Sequence, residues 1–165
     1  MAFPSIPQQN YPTHNIVTRT VQIVLNPTVT ASSAYAAGNS VGGLLKFTNI
    51  AGPQKSGVIQ SFFVNCKTAQ TTTFKLYVFN ALPAFTTITN KATPSLNAND
   101  VPYLIGVYTT GSSDSTLTAT INLLDSIGKS FTSYSSDLYG ILVCVSTPTF
   151  NAASDVFVGL SVLQD

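Results

Sequence analysis

The chain has 165 residues and a mass of 17.4 kDa, a size at which one hydrophobic core is the default. Charged residues make up 8% of it and hydrophobic residues 44%, where an average soluble domain carries roughly 25% charge, so the polar surface must be built from Ser, Thr, Asn and Gln. A formal net charge of +1 excludes the basic footprint that phosphate-backbone binding needs, and no nucleic-acid partner is expected. It also leaves little repulsion between copies of the chain, which favours self-association or docking on a larger assembly.

The first residues are Met1-Ala2-Phe3-Pro4-Ser5-Ile6-Pro7. They lack a charged leader, and their prolines interrupt the apolar run that export requires. The expectation is a protein made and used in the cytoplasm without secretion. No apolar stretch approaches the ~20 residues that cross a bilayer, so no membrane partner is expected either. Asn26-Pro27-Thr28 has Pro in the middle of the triplet and is no glycosylation acceptor.

Up to Asn15, three prolines (Pro4, Pro7, Pro12) alternate with the apolar residues Phe3, Ile6 and Tyr11, a pattern that neither a helix nor a central strand accepts. It reads either as a frayed terminus or as an extended arm, residues 1–17, that lays Phe3, Ile6, Tyr11 and His14 on a neighbouring protein. Residues 18–165 then form a single domain. From Thr18 the period becomes two, with Val21, Ile23 and Leu25 on one face and Thr20, Gln22 and Val24 on the other, ending at Asn26-Pro27. Turn residues around Gly38 and Gly42-Gly43 introduce a strand at 44–48. Next comes 58–67, whose Val58, Phe62, Val64 and Cys66 share parity and are expected to face inwards. A short polar link leads to 74–79, and the two segments read as a hairpin.

Residues 84–101 are irregular, with Asn97-Ala98-Asn99-Asp100 suited to an Asx-turn or one helical turn. Strands are expected at 104–108 and 117–121 around Gly111-Ser112-Ser113-Asp114, and at 138–145 and 156–163. About eight short strands without helical periodicity indicate an all-β protein: an antiparallel β-sandwich, jelly-roll-like, with an extended N-terminal arm.

Several strands carry large apolar groups on both faces, notably Phe63 beside Phe62, Tyr77 and Phe79 opposite Leu76 and Val78, and Tyr139 near Leu142. A two-layer sandwich has one inside. The second face is therefore covered by the middle segment or the arm, or it is an interface between copies, for which Phe63, Tyr77, Phe79 and Tyr139 are the candidates.

The inventory for catalysis is thin. There is one histidine, His14, and no Glu, whereas general acid–base chemistry uses two positioned titratable groups. The Asp residues fall singly in expected loops, and Asn97, Asn99 and Asp100 lack the acidic spacing of a calcium loop. Cys66 and Cys144 lie in apolar strands without a C-x-x-C spacing, as small buried hydrophobes or as a disulfide. Gly38, Gly42 and Gly43 precede no helix and form no phosphate cradle. No catalytic residue, metal or cofactor is expected, and the chain reads as a non-enzyme.

The runs YAAGNSVGGLLKFTNIAG (35–52), SGVIQSFFVNCKT (56–68), FKLYVFNALP (74–83) and LYGILVCVSTPTF (138–150), with a last strand ending VLQD, resemble head proteins of tailed bacteriophages, in particular capsid decoration or cement proteins. The similarity covers residues 28–165 and rests on turn glycines and apolar strands. It implies a structural virion protein on the outer surface of the capsid, often trimeric, that clamps neighbouring major capsid proteins and stabilises the shell. The major capsid protein and other copies of the chain would be its partners. The contrasting expectation is a glycan-binding sandwich module or adhesin of a phage tail or fibre, for which Tyr103, Tyr108 and Tyr134 are the available ring platforms, Trp being absent.

Overall fold

The computed structural model describes residues 19–111 and 119–165. Nine strands follow in chain order: β1 Arg19–Leu25, β2 Ser40–Phe47, β3 Ser56–Cys66, β4 Phe74–Phe79, β5 Leu104–Thr109, β6 Thr120–Leu124, β7 Lys129–Thr132, β8 Leu138–Cys144 and β9 Val156–Gln164. One 3-10 turn, Val101–Tyr103, precedes β5. The strands form two antiparallel sheets, the first in the order β1-β9-β3-β6 with β7 also pairing β3, the second in the order β2-β8-β4-β5. Most consecutive strands alternate between the sheets, so the architecture is the expected antiparallel β-sandwich.

Strand periodicity explains the core. In β9, Val156, Val158, Leu160 and Val162 are fully buried, and they are met from the opposite sheet by Phe74, Leu76, Leu142 and Cys144. In β1 the inward parity is Val21, Ile23 and Leu25, paired with Val162, Leu160 and Val158 of β9, as the period-two reading requires. These three stay half-exposed because β1 is an edge strand.

The structure corrects the sequence reading in three places. Segments 58–67 and 74–79 are not a hairpin, because β3 pairs with β9, β6 and β7 while β4 pairs with β8 and β5. The link 67–73 turns the corner between the sheets. Its buried Gln70 receives the Thr149 N–H at 3.2 Å and donates to the Thr149 carbonyl at 2.7 Å, and its backbone N–H donates to Thr120 Oγ1; buried Thr72 accepts from Ser146 N–H at 3.0 Å. The link is thereby bonded to β6 of the first sheet and to the β8–β9 connection, which itself crosses between the layers.

The inward parity of β3 is also interrupted. The register shifts between Ile59 and Ser61, the signature of a β-bulge, and the Gln60 carbonyl there accepts from Ile127 N–H at 3.0 Å. Ile59 is therefore buried in place of Val58, while Phe62, Val64 and Cys66 keep the expected face. Finally, β7 was not foreseen, and the strand expected at 117–121 is β6, whose described part runs on to Leu124; residues 117 and 118, like Ser112, Ser113 and Asp114 of the expected loop, lie outside the described residues.

A second bulge sits in β2, where the register shifts between Ser40 and Leu44. Gly42 and Gly43 occupy it with φ +81° and +73°, and a Cβ on Gly42 would lie 2.2 Å from Pro27 Cβ. Only glycine combines that left-handed backbone with that approach.

Candidate interaction surface

Each sheet has one face in the shared core and one outside, and the two outer faces differ. On the second sheet, Lys46, Tyr139, Phe79 and Leu104 form one outward row and Leu44, Ile141, Tyr77 and Val107 the next. Such a face is apolar, and the β4–β5 connection, residues 80–103, folds back over it. Phe79, Ile141 and Val143 are buried there in a small second core with Tyr77, Ile88, Tyr103, Leu104 and Tyr139 packed around them.

Polar anchors hold this cover at both ends. At its start and finish, the Asp100 carboxylate accepts from Phe85 N–H at 3.1 Å and Thr86 Oγ1 at 2.6 Å, and Asp100 itself is fully buried. The expected Asx-turn is present, with Asn99 N–H donating to Asn97 Oδ1 at 2.9 Å. In its middle, the cover reaches the β2 edge. There Asn90 Oδ1 accepts from Tyr35 OH at 2.8 Å and Gly42 N–H at 2.9 Å, and Lys91 N–H and Ser40 N–H exchange backbone bonds with Ser40 and Ala92 carbonyls at 2.9 and 2.8 Å. Beneath residues 93–96 the cover leaves a cleft of about 310 Å3 lined by Lys75, Tyr77, Pro94, Leu96, Val143 and Val145.

The outer face of the first sheet has no such cover among the described residues. One row crosses four of its five strands in register: Val24 of β1, Gly159 of β9, Phe63 of β3 and Leu123 of β6. Val24 is 49% exposed, Leu123 46% and Ile121 in the adjoining row 45%. Gly159 makes the row flat. A Cβ there would lie 2.0 Å from Phe63 Cε1, so the ring lies across the glycine and shields backbone that would otherwise face water. Phe157 lies in the next row, and the Lys67 ammonium sits 5.2 Å from its ring centroid, a cation–π contact at the end of the face. On the other side of the Gly159 row, Gln22 Nε2 donates to Ser161 Oγ at 3.1 Å.

Of the sequence-derived candidates, Phe3, Ile6, Tyr11 and His14 lie outside the described residues. Phe63 is on the uncovered face. Phe79 is not a surface residue, being fully buried beneath the cover; of the two alternatives for this face, cover by the middle segment or an interface between copies, the first holds at Phe79. Tyr77 and Tyr139 share that environment and are half-buried. Val24, Ile121, Leu123 and Phe157, which complete the exposed face, were absent from the candidates. Of these, Val24 was already assigned to the outward parity, while Leu123 follows the point at which the expected strand ended.

Elsewhere the titratable groups are structural. The Lys46 ammonium and the Asp137 carboxylate pair at 2.8 Å. That bond, with the Asn49 N–H donating at 2.9 Å, holds the Asp137 carboxyl below its ordinary range. Burial pushes the Asp155 carboxyl up, but Thr68 Oγ1 and the Asn151 N–H donate to it and the balance is downwards. Burial pushes the Cys66 thiol up to about 12 and the Cys144 thiol upwards too, and both cysteines are free. Among the described residues no three His, Cys, Asp or Glu side chains group to hold a metal ion. What the geometry offers is surface: an outer face on the second sheet that residues 80–103 cover in the middle while Leu44 and Val107 stay exposed on its edge strands, and an outer face on the first sheet that no described residue covers. No protein-family model matches the sequence, and no curated protein matches it.

Proposed function

We propose that the protein is a structural component of a phage virion that sits on the outside of the capsid and stabilises it by clamping neighbouring major capsid proteins. The observation that carries this reading is the outer face of the first sheet, which no described residue covers and whose outward positions on β1, β9, β3 and β6 are apolar or neutral polar. An apolar patch of that kind marks a contact with protein. The strand orders β1-β9-β3-β6 and β2-β8-β4-β5 support reading the sandwich as a jelly roll, an architecture common in viral shells. In this proposal the arm, residues 1–17, lies on the capsid protein through Phe3, Ile6, Tyr11 and His14, and self-association of the domains multiplies each arm contact through effective concentration. Neither nucleic acid nor membrane enters the mechanism.

The test is occupancy of undecorated heads of the virus that encodes the chain. The full-length protein is expected to co-sediment with them saturably, and deletion of residues 1–15 to abolish occupancy while the circular dichroism of the sandwich is retained. Undiminished occupancy by the truncated form overturns the role given to the arm, and absence of saturable binding by the full chain overturns the shell-binding reading.

A second reading, a glycan-binding module, is favoured by one feature. Tyr134 is 70% exposed and meets Tyr103 edge-on, with ring centroids 5.6 Å apart, which leaves a ring face available to a sugar. Tyr108 is not part of this platform, since it packs against the main core. Binding on a glycan array that Tyr134→Ala abolishes would favour this reading over the first.

A further inference from the structure

The cover over the second sheet does not close everywhere. It buries Phe79 and Ile141, but between residues 93–96 and the sheet it leaves the cleft of about 310 Å3. Protein interiors hold few voids larger than a water molecule, whose share of liquid volume is about 30 Å3. The cleft instead falls at the lower end of the roughly 300–1,000 Å3 typical of small-molecule sites. Leu96 and Val145 line it and are 40% and 42% exposed, so solvent, and a solute with it, can enter.

The lining selects the kind of solute. Tyr77 and Val143 of the sheet, Pro94 and Leu96 of the cover and Val145 past the end of β8 supply apolar walls, and Lys75 is the one charged residue among the described residues that line the cleft. The register places neutral Thr109 and Val143 on either side of Lys75. Among the described residues the ion pair is that of Lys46 with Asp137, so the Lys75 ammonium has no carboxylate partner there. A neutral apolar molecule would fill the walls but strip water from that ammonium without replacing it. A bare inorganic anion would meet the charge and gain nothing from the apolar walls, and a cationic molecule would be repelled. A molecule with an apolar body and a single carboxylate satisfies both, its carboxylate accepting a charge-assisted bond from the ammonium. The Asp and Glu side chains of a protein partner lack an apolar body of that size.

We propose that the cleft beneath residues 93–96 is a binding site for a small apolar monocarboxylate of the medium-chain fatty-acid kind, its chain against Tyr77, Val143 and Leu96 and its carboxylate at Lys75. The site belongs to the second sheet and its cover. It goes beyond the shell-binding reading and does not rest on it.

The experiment is an amide chemical-shift titration of the full-length protein with octanoate, and in parallel with octanol and octylamine, which keep the chain and change the head group. Octanoate is expected to shift the amides of Lys75, Tyr77, Leu96 and Val145 saturably. Octanol should bind about tenfold more weakly, the worth of one hydrogen bond to a charged group, and octylamine should not saturate. Lys75→Met keeps the apolar stem of the side chain and removes its charge, and should weaken octanoate about tenfold without weakening octanol. Leu96→Ser, at an exposed wall position, should weaken both. Thermal melting checks that each variant folds, and the head-group comparison in the parent protein needs neither variant. The proposal is overturned if octanoate does not saturate the shifts, if octanol binds as tightly as octanoate, or if folded Lys75→Met binds octanoate unchanged. Shifts that fall on Val24, Phe63 and Leu123 of the first sheet in place of the cleft overturn it as well.

Discussion

The two outer faces of the sandwich begin from the same problem and solve it differently. Both sheets expose large apolar side chains away from the shared core: Tyr77, Phe79 and Ile141 on the second sheet, Val24, Phe63 and Leu123 on the first. On the second sheet, residues 80–103 lie over the face and bury Phe79 and Ile141 to 0% and 1% exposure. On the first, Val24 and Leu123 remain near half exposure. An apolar group covered by its own chain contributes to folding, and one left open is available for association. The edge strands of the second sheet stay open as well, with Leu44 39% and Val107 44% exposed, so the contrast lies in the middle of the sheets, where the cover buries Phe79 and Ile141 while Phe63 stays half-buried.

The sharpest way to break this contrast is one chemical change made on both faces. Phe79→Ala removes a fully buried ring from the second core and is expected to cost about 3–5 kcal/mol of unfolding free energy, the usual price of an emptied aromatic site. Phe63→Ala removes a half-buried ring and should cost about 1 kcal/mol, in the range of an ordinary substitution. Urea unfolding of both variants decides it. Equal destabilisation would mean that the first face is as fully packed as the second, and the division between folding and binding surfaces would fall.

Next in size is the anchor of the cover. Asp100→Ala leaves the Phe85 N–H and Thr86 hydroxyl without their acceptor in a buried place, a loss of roughly 2–3 kcal/mol at the rates typical of hydrogen bonds to charged groups. If the cover is what distinguishes the faces, loosening it should expose Phe79 and Ile141 and raise the binding of an apolar dye under native conditions. A variant that is destabilised without added dye binding would show that the cover unfolds only together with the sandwich.

Much of the fold, though less of this contrast, could be read from the sequence. The period-two alternation of Thr20 to Leu25 places Val24 outwards and Val21, Ile23 and Leu25 inwards, as observed. The β8 and β9 segments lie within a residue or two of their expected limits because long Val- and Leu-rich runs, buried on one or both faces, leave little ambiguity. Parity counting failed at the β3 bulge, since one extra residue at Gln60 exchanges Val58 for Ile59 and no local signal marks it. The hairpin expectation failed because it weighed the shortness of link 67–73 but not Gln70 and Thr72, which bond to Thr120 of β6 and to Ser146 and Thr149 of the β8–β9 connection and so fix a corner. Which outer face would be covered was not legible at all. Residues 84–100 have no period, and their path depends on single polar contacts, Asn90 to Tyr35 and Asp100 to Thr86, between residues far apart in the chain.

Acid should weaken the sandwich mildly. The carboxyls of Asp137 and Asp155 are held below their ordinary value of 3.8. A carboxylate whose folded pKa is depressed contributes stability that is complete above its unfolded pKa and is lost as pH falls through the folded value. The melting temperature should thus be level above about pH 5 and decline below about pH 4. Asp137→Asn should reduce that decline only slightly, because its partner Lys46 is 52% exposed and solvent screens such a pair. A larger loss at Asp137 than at Asp155 would show that the exposed pair outweighs the buried hydrogen-bonded carboxylate.

The smallest expected effect is the response to redox conditions. Cys66 belongs to the first sheet, paired with Val156 and Thr120, and Cys144 to the second, paired with Phe74. Facing sheets are spaced at ~10 Å, beyond the ~7 Å between Cα atoms that a disulfide tolerates, in keeping with two free thiols. Burial raises both thiol pKa values, that of Cys66 to about 12, so almost no thiolate exists at neutral pH to react. Neither thiol should react with a disulfide reagent in the native protein at pH 8, both should react on unfolding, and the melting temperature should be the same with and without reductant. Native reactivity at one of the two sites would identify the sheet whose protection from solvent is incomplete. At Cys144, which lines the floor of the cleft beneath residues 93–96, it would mean that the cover opens while the sandwich stays folded, making the second face intermittently available for binding as well.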